Sequence, residues 1–154
     1  VHFHKICENY LYNKNISEYK KKILSYGLFN LAKSEINRID NIYGMEKTLY
    51  SHSLKLAGRT DCIAEFDDIL SIIDFKSANR KKSPEILENH ILQETAYAIM
   101  WNELTDIPIK QIVTIVACED GELQTIIEKP EFYRQRLESV IDQFNKIQLN
   151  EVKY

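Results

Sequence analysis

The sequence predicts a mixed α/β domain with helices packed on a curved sheet, and three observations carry that prediction. Residues 69–77 (ILSIIDFKS) and 111–118 (QIVTIVAC) are nearly continuous apolar runs, with the length and β-branched content of strands buried on both faces. Between them, Ser83-Pro84-Glu85 supplies a capping hydroxyl, a proline at the first helical position and an acid in the first turn. That signal opens a helix expected to reach about Leu104. The third observation is a change of period, from helical to alternating, near residue 49.

In chain order, residues 4–12 read as a helix, and 17–40 as a second one, with Tyr19, Ile23, Tyr26, Leu31 and Ile39 at loosely helical spacing. Residues 49–54 alternate polar and apolar as a first strand. Gly58 is expected to break the chain before a second strand, 59–66. Asp67-Asp68 makes a tight turn into the 69–77 strand. After the long helix and the 111–118 strand, Glu119-Asp120-Gly121 turns the chain into a strand over 123–128. Pro130 opens a last amphipathic helix ending near Ile147. The expected order is therefore helices, three strands, helix, two strands, helix.

The 154 residues, 44% of them hydrophobic, fit one compact domain over 1–154. The opening VHFHKICENYL reads as mid-domain helix, so the expectation is a domain lacking its extreme N-terminus, within which organelle targeting stays open. No apolar run approaches the roughly 20 residues of a membrane span, and mean hydropathy is −0.36. A formal net charge of −3 argues against a nucleic-acid binder that works through its overall field. Any polyanion contact must be local or metal-assisted. Lys20-Lys21-Lys22 and Arg80-Lys81-Lys82 are short basic clusters that offer such contacts, although charge runs of this kind are more often solvated faces. Cys7, Cys62 and Cys118 form no C-x-x-C pair, which argues against structural zinc and against an iron–sulfur cluster. Three free thiols fit an intracellular, reducing compartment. A composition rich in Asn, Ile and Lys points to an AT-rich genome, such as that of a phage.

The chemistry concentrates in Gly58-Arg59-Thr60-Asp61, followed thirteen residues after that acid by Asp74-Phe75-Lys76. Alternation puts Asp74 and Lys76 on one face of their strand, and a hairpin through Asp67-Asp68 brings Asp61 alongside. Two carboxylates suit a hard divalent cation, and a lysine beside them suits an attacking water or a phosphate. A structural salt bridge between Asp74 and Lys76 accounts for the same spacing. On the following helix, Gln93 and Tyr97 are four apart and share a face. They are suited to hold a phosphate, a water or the lysine, or Tyr97 belongs to the core.

G-x-x-D, D-x-K and Q-x-x-x-Y, in that order and at these spacings, resemble the RecB-like branch of the PD-(D/E)XK nuclease superfamily. AGRTDCIAEFDDILSIIDFKSANRKK followed by QETAY most resembles phage-type and mitochondrial genome maintenance exonucleases. The resemblance implies a restriction-endonuclease-like fold, a mixed central sheet flanked by helices. It implies a metal-dependent deoxyribonuclease, an exonuclease on DNA ends or single strands, or else an endonuclease or a non-cleaving DNA-binding module of the same fold. It also implies one or two Mg²⁺ or Mn²⁺ ions. By resemblance, Asp61, Asp74 and Lys76 are catalytic, and His4 (rather than His2), Asp61, Asp74 and the Phe75 carbonyl are metal ligands. Ser77, Gln93, Tyr97, Lys81 and Lys82 are expected at the substrate. Glu46 and Arg59 are expected in support, with Glu46 either near the metal or paired with a surface lysine. Oligomeric state is left open.

Overall fold

The computed structural model describes residues 2–152, so the domain expected over 1–154 runs past the described residues at both ends. Five strands form one sheet in chain order: β1 (Ile39–Ser51), β2 (Leu56–Phe66), β3 (Ile69–Ala78), β4 (Gln111–Cys118) and β5 (Leu123–Glu128). Only β3 and β4 run parallel, joined by the crossover helix α3 (Pro84–Thr105); the other neighbours are antiparallel. The predicted mixed sheet with flanking helices is thus the observed architecture.

Alternation along the central strands divides the core in two. Ile73, Phe75, Val113 and Ile115 pack with α1 (His2–Leu11) and α2 (Ile23–Ile36) on one side of the sheet. Their neighbours Ile72 and Ile112 pack with α3 and with Leu137 of α4 (Arg134–Val152) on the other. Both faces of β3 and β4 are covered, which is why their sequences read as unbroken apolar runs. Phe3, Ile6 and Cys7 form the buried stripe of α1, at i, i+3 and i+4. Losing the ring of a residue as enclosed as Phe75 costs about 3–5 kcal/mol.

Four expectations need correction. The helix predicted over 17–40 is a 3₁₀ turn (Ser17–Lys21) followed by α2, and it ends at Ile36; β1 already begins at Ile39. Strand alternation was hidden there because register shifts between Asp40, Ile42 and Gly44, and Asn41 has a left-handed backbone (φ 47°). Glu46 is also left-handed at φ 50°, although the register holds from Met45 to Lys47. β1 stops at Ser51 rather than Leu54, and the chain turns over 52–55 with Lys55 at φ 56°. Gly58 lies inside β2 rather than before it, paired with Leu49. Finally, Pro130 opens a short 3₁₀ turn (Pro130–Phe132), and α4 starts at Arg134.

The β2–β3 hairpin closes through Asp67 and Asp68, both left-handed at φ 52° and 66°, the two-residue turn that matches strand twist. Arg38 clamps it by pairing with Asp67 and Glu35 and lying 4.5 Å above the Phe66 ring. The resulting register, Phe66↔Ile69 through Cys62↔Ile73, sets Asp61 across from Asp74.

Candidate active site

β2 and β3 pair only as far as Cys62↔Ile73 and then part. β2 continues beside β1 as far as Leu56, and β3 continues beside β4 as far as Ala78. The sheet therefore forks, and Asp61 stands at the point of divergence. In place of the missing ladder bond, its Oδ2 accepts a 2.9 Å hydrogen bond from the Phe75 main-chain N–H. The site is where a strand stops pairing with its neighbour.

Asp74 and Lys76 face the α3 side of β3, while the Phe75 ring between them anchors the strand in the opposite core. Lys76 Nζ lies 2.8 Å from Asp74 Oδ2. The contact is a close charge pair, and beyond Lys76 the buried Oδ2 has no other partner. Burial alone would push the Lys76 ammonium down, yet the Asp74 charge beside it, helped by Asp61 and Glu94, more than offsets this and raises it. Lys76 is therefore a cation at neutral pH. Burial, and then the neighbouring Asp74 carboxyl, push Asp61 up to about 8, against the opposing pull of the Phe75 N–H and Lys76.

His4, on the first turn of α1, reaches the fork from the other core, with Nε2 3.5 Å from Asp61 Oδ2. Burial lowers its pKa more than Asp74 and the Phe75 carbonyl raise it. With the imidazole pushed toward neutral and Asp61 pushed toward its acid form, this contact is not an ion pair. His2 is exposed and lines, with His4, Lys5, Glu8, Glu46 and Arg59, a cleft of about 380 Å³ beside the fork. A larger cavity of about 540 Å³ lies away from these charges, against Ile69 and Gln111 at the opposite ends of β3 and β4.

On α3, Tyr97 is buried with its pKa raised by burial and by Asp74, and Gln93 one turn earlier lies against its hydroxyl. Tyr97 explains Gly58: a Cβ there would sit 2.7 Å from Tyr97 Cε1 and 3.2 Å from its hydroxyl. The remaining expected residues are more dispersed. Glu46 pairs with Arg59 at 2.8 Å, not with a lysine, and Arg59 also donates to the Glu46 carbonyl. Ser77 is exposed and alternates to the side away from Lys76. Lys81 makes an exposed 3.4 Å pair with Glu122. The Lys82 main-chain N–H donates to Gln124 Oε1, which ties the loop after β3 to β5.

Sequence reasoning passed over two residues. Glu94 is fully buried beside this group: Thr114 donates to its Oε2 at 2.6 Å, and Oε1 has no partner. His90, one turn earlier on α3, leaves Nε2 buried without a partner and feels the charges of Lys76 and Lys82. The available signal was the helical spacing of His90, Glu94 and Tyr97, polar groups set among Ile91, Leu92 and Ala98.

A fork of paired strands that gathers two carboxylates, a lysine and a main-chain carbonyl is the arrangement expected of G-x-x-D and D-x-K, and the sequence profile of the PD-(D/E)XK nuclease superfamily matches residues 4–152. The chain belongs to the PD-(D/E)XK nuclease superfamily. No curated protein matches it. PD-(D/E)XK nucleases are hydrolases that cleave nucleic acid, generally with Mg²⁺ or Mn²⁺. The residues of this PD-(D/E)XK domain fit such an ion in their chemistry. Two carboxyls, Asp74 buried and Asp61 partly exposed, face one ammonium, and Asp74 Oδ2 has no partner besides it. Among the described residues no three His, Cys, Asp or Glu side chains form a ready-made cage. Mg²⁺ is commonly held by one or two carboxylates and completes its shell with water and substrate phosphate. Among the described residues no helix is long and apolar enough to cross a membrane.

Proposed function

We propose that this PD-(D/E)XK domain is a RecB-like exodeoxyribonuclease, acting on DNA ends or single strands and leaving 5′-phosphates. The observation that carries the reading is the fork, where Asp61 and Asp74 meet across diverging strands with Lys76 on the same face as Asp74. Asp61, Asp74 and the Phe75 carbonyl would hold one or two Mg²⁺ or Mn²⁺ ions, with His4 at the rim. Such an ion supplies a more acidic water and offsets charge on the phosphate.

The chain's own groups divide the rest of the work. Lys76 is kept cationic by its acidic neighbours, so it orients the attacking water and the phosphate as a hydrogen-bond donor rather than as a base. Tyr97 and Gln93 close the α3 side of the site. Lys81 and Lys82, in the loop after β3, would contact the phosphate backbone. Cleavage independent of base sequence is part of this reading.

End-labelled linear DNA incubated with and without Mg²⁺, beside circular single-stranded DNA, tests this reading. Metal-dependent release of nucleotides from linear DNA alone is the expected result. Nicking of the circle would assign an endonuclease instead, and binding without cleavage in either metal would overturn the catalytic reading.

A further inference from the structure

Among the described residues five buried side-chain N or O atoms lack a hydrogen-bond partner, and three of them lie on Asp74, Glu94 and His90, whose charges couple to Lys76. Asp74 Oδ2, Glu94 Oε1 and His90 Nε2 come from β3 and from successive turns of α3, and each residue is electrostatically coupled to the ammonium. Buried polar atoms without partners cluster where a ligand or an alternative arrangement completes them. Glu94 is the most unusual of the three. It is a carboxyl of zero exposure in the middle of a helix, fixed by one oxygen alone. Its anchor, Thr114, is the direct neighbour of Asp74 across the parallel β3–β4 ladder, so Glu94 lies in the same layer as the Asp74–Lys76 pair.

The charge pairing creates a conflict that Glu94 is placed to resolve. Lys76 has one close partner, Asp74 Oδ2, and that same oxygen is a proposed cation ligand. Once Asp74 commits Oδ2 to a cation, Lys76 loses its counter-charge in a half-buried site, where an unpaired ammonium is costly. The remaining buried carboxyl oxygen without a partner in that layer is Glu94 Oε1, on an acid whose pKa burial pushes up and the Lys76 charge pulls back down. We propose that Glu94 is a positioning residue, the second partner to which Lys76 is handed when Asp74 turns to the metal. The ammonium is then held on the α3 side, where it can face the water and the phosphate. This inference rests on the function proposed above.

The test is calorimetric titration of the full chain with Mg²⁺ alone, for the wild type, Glu94→Gln, Lys76→Met and the double variant. Gln keeps an oxygen for Thr114 while removing the ionisable carboxyl. If Lys76 moves to Glu94, Glu94→Gln should weaken Mg²⁺ binding about tenfold, the low end of the effect expected for residues that support metal ligands. The same change in a Lys76→Met background should have no effect. An unchanged affinity in the single variant overturns the proposal. So does an equal loss in both backgrounds, which would mean that Glu94 acts on the cation directly. Should Glu94→Gln not fold, the wild-type Lys76 ammonium observed by ¹⁵N NMR decides. Protons that stay in slow exchange with Mg²⁺ bound support the handover, and release into rapid solvent exchange refutes it. A wild type that binds no Mg²⁺ would instead sink the nuclease reading, and this proposal with it.

Discussion

The ring of Tyr97 occupies the space that any side chain at position 58 would need, with Cε1 2.7 Å from where the Cβ would be built. The glycine of G-x-x-D and the tyrosine of Q-x-x-x-Y, apart in sequence, are thus two halves of one contact. Gly58→Ala should displace the ring rather than unfold the chain. An overpacking cost of about 1–3 kcal/mol in the melting transition is expected, with a larger proportional loss of cleavage. Tyr97→Ala should remove most of the Gly58→Ala penalty, and purely additive penalties would show that the contact does not matter.

Lys76→Ala should preserve folding and DNA binding and lower cleavage by roughly 10²–10⁴-fold, the usual scale for losing a positioned proton or charge donor. Single-turnover rates measured beside binding isotherms separate the two effects. Near-normal rates would remove Lys76 from the chemistry.

The pH dependence follows from Asp61, held up to about 8 at the fork. Its unfolded value is about 3.9. An acid raised by folding stabilises the native state fully below the unfolded value, and that contribution is lost as pH rises through the folded one. Metal-free protein should therefore melt at progressively lower temperature between roughly pH 4 and 8 on account of this group. Mg²⁺ displaces the proton, so its affinity should rise by up to about tenfold per pH unit over the upper part of that range. Flat calorimetric affinity across it would contradict the shift.

His4→Ala should leave α1 in place, because Phe3, Ile6 and Cys7 carry its packing. It should weaken Mg²⁺ binding by about 10–100-fold if the ring supports the metal site. Unaltered calorimetric affinity would reduce His4 to a neighbour of Asp61.

Replacing Lys81 and Lys82 with Ala should weaken DNA binding about equally for all sequences. Each lost phosphate contact should lower the slope of log K against log salt by about 0.7–0.9. An unchanged slope would place both lysines off the DNA path.

Legibility in the sequence followed burial. β3 and β4 were plain because both faces are covered, and the Ser83–Pro84 start of α3 was plain because capping is local chemistry. The first half of β1 was not, since its register shifts around the left-handed Asn41 destroy the two-residue period. Gly58 was misread as punctuation because its reason for lacking a side chain lies 39 positions away on α3. Asp61, Asp74 and Lys76 were singled out through their motifs, and the fork brings them together. Glu94 escaped notice because its only hydrogen bond is to Thr114, a residue with no motif of its own.

The Phe75 amide gives this fork a built-in gauge. Its proton is held by a side-chain carboxyl, that of Asp61, rather than by the next strand. Its exchange rate and chemical shift should therefore track the state of Asp61, while ladder amides a few residues away, such as that of Ile73, stay constant. A single backbone resonance would then report, in an uncut sample, whether the centre is protonated, loaded or engaged with a phosphate.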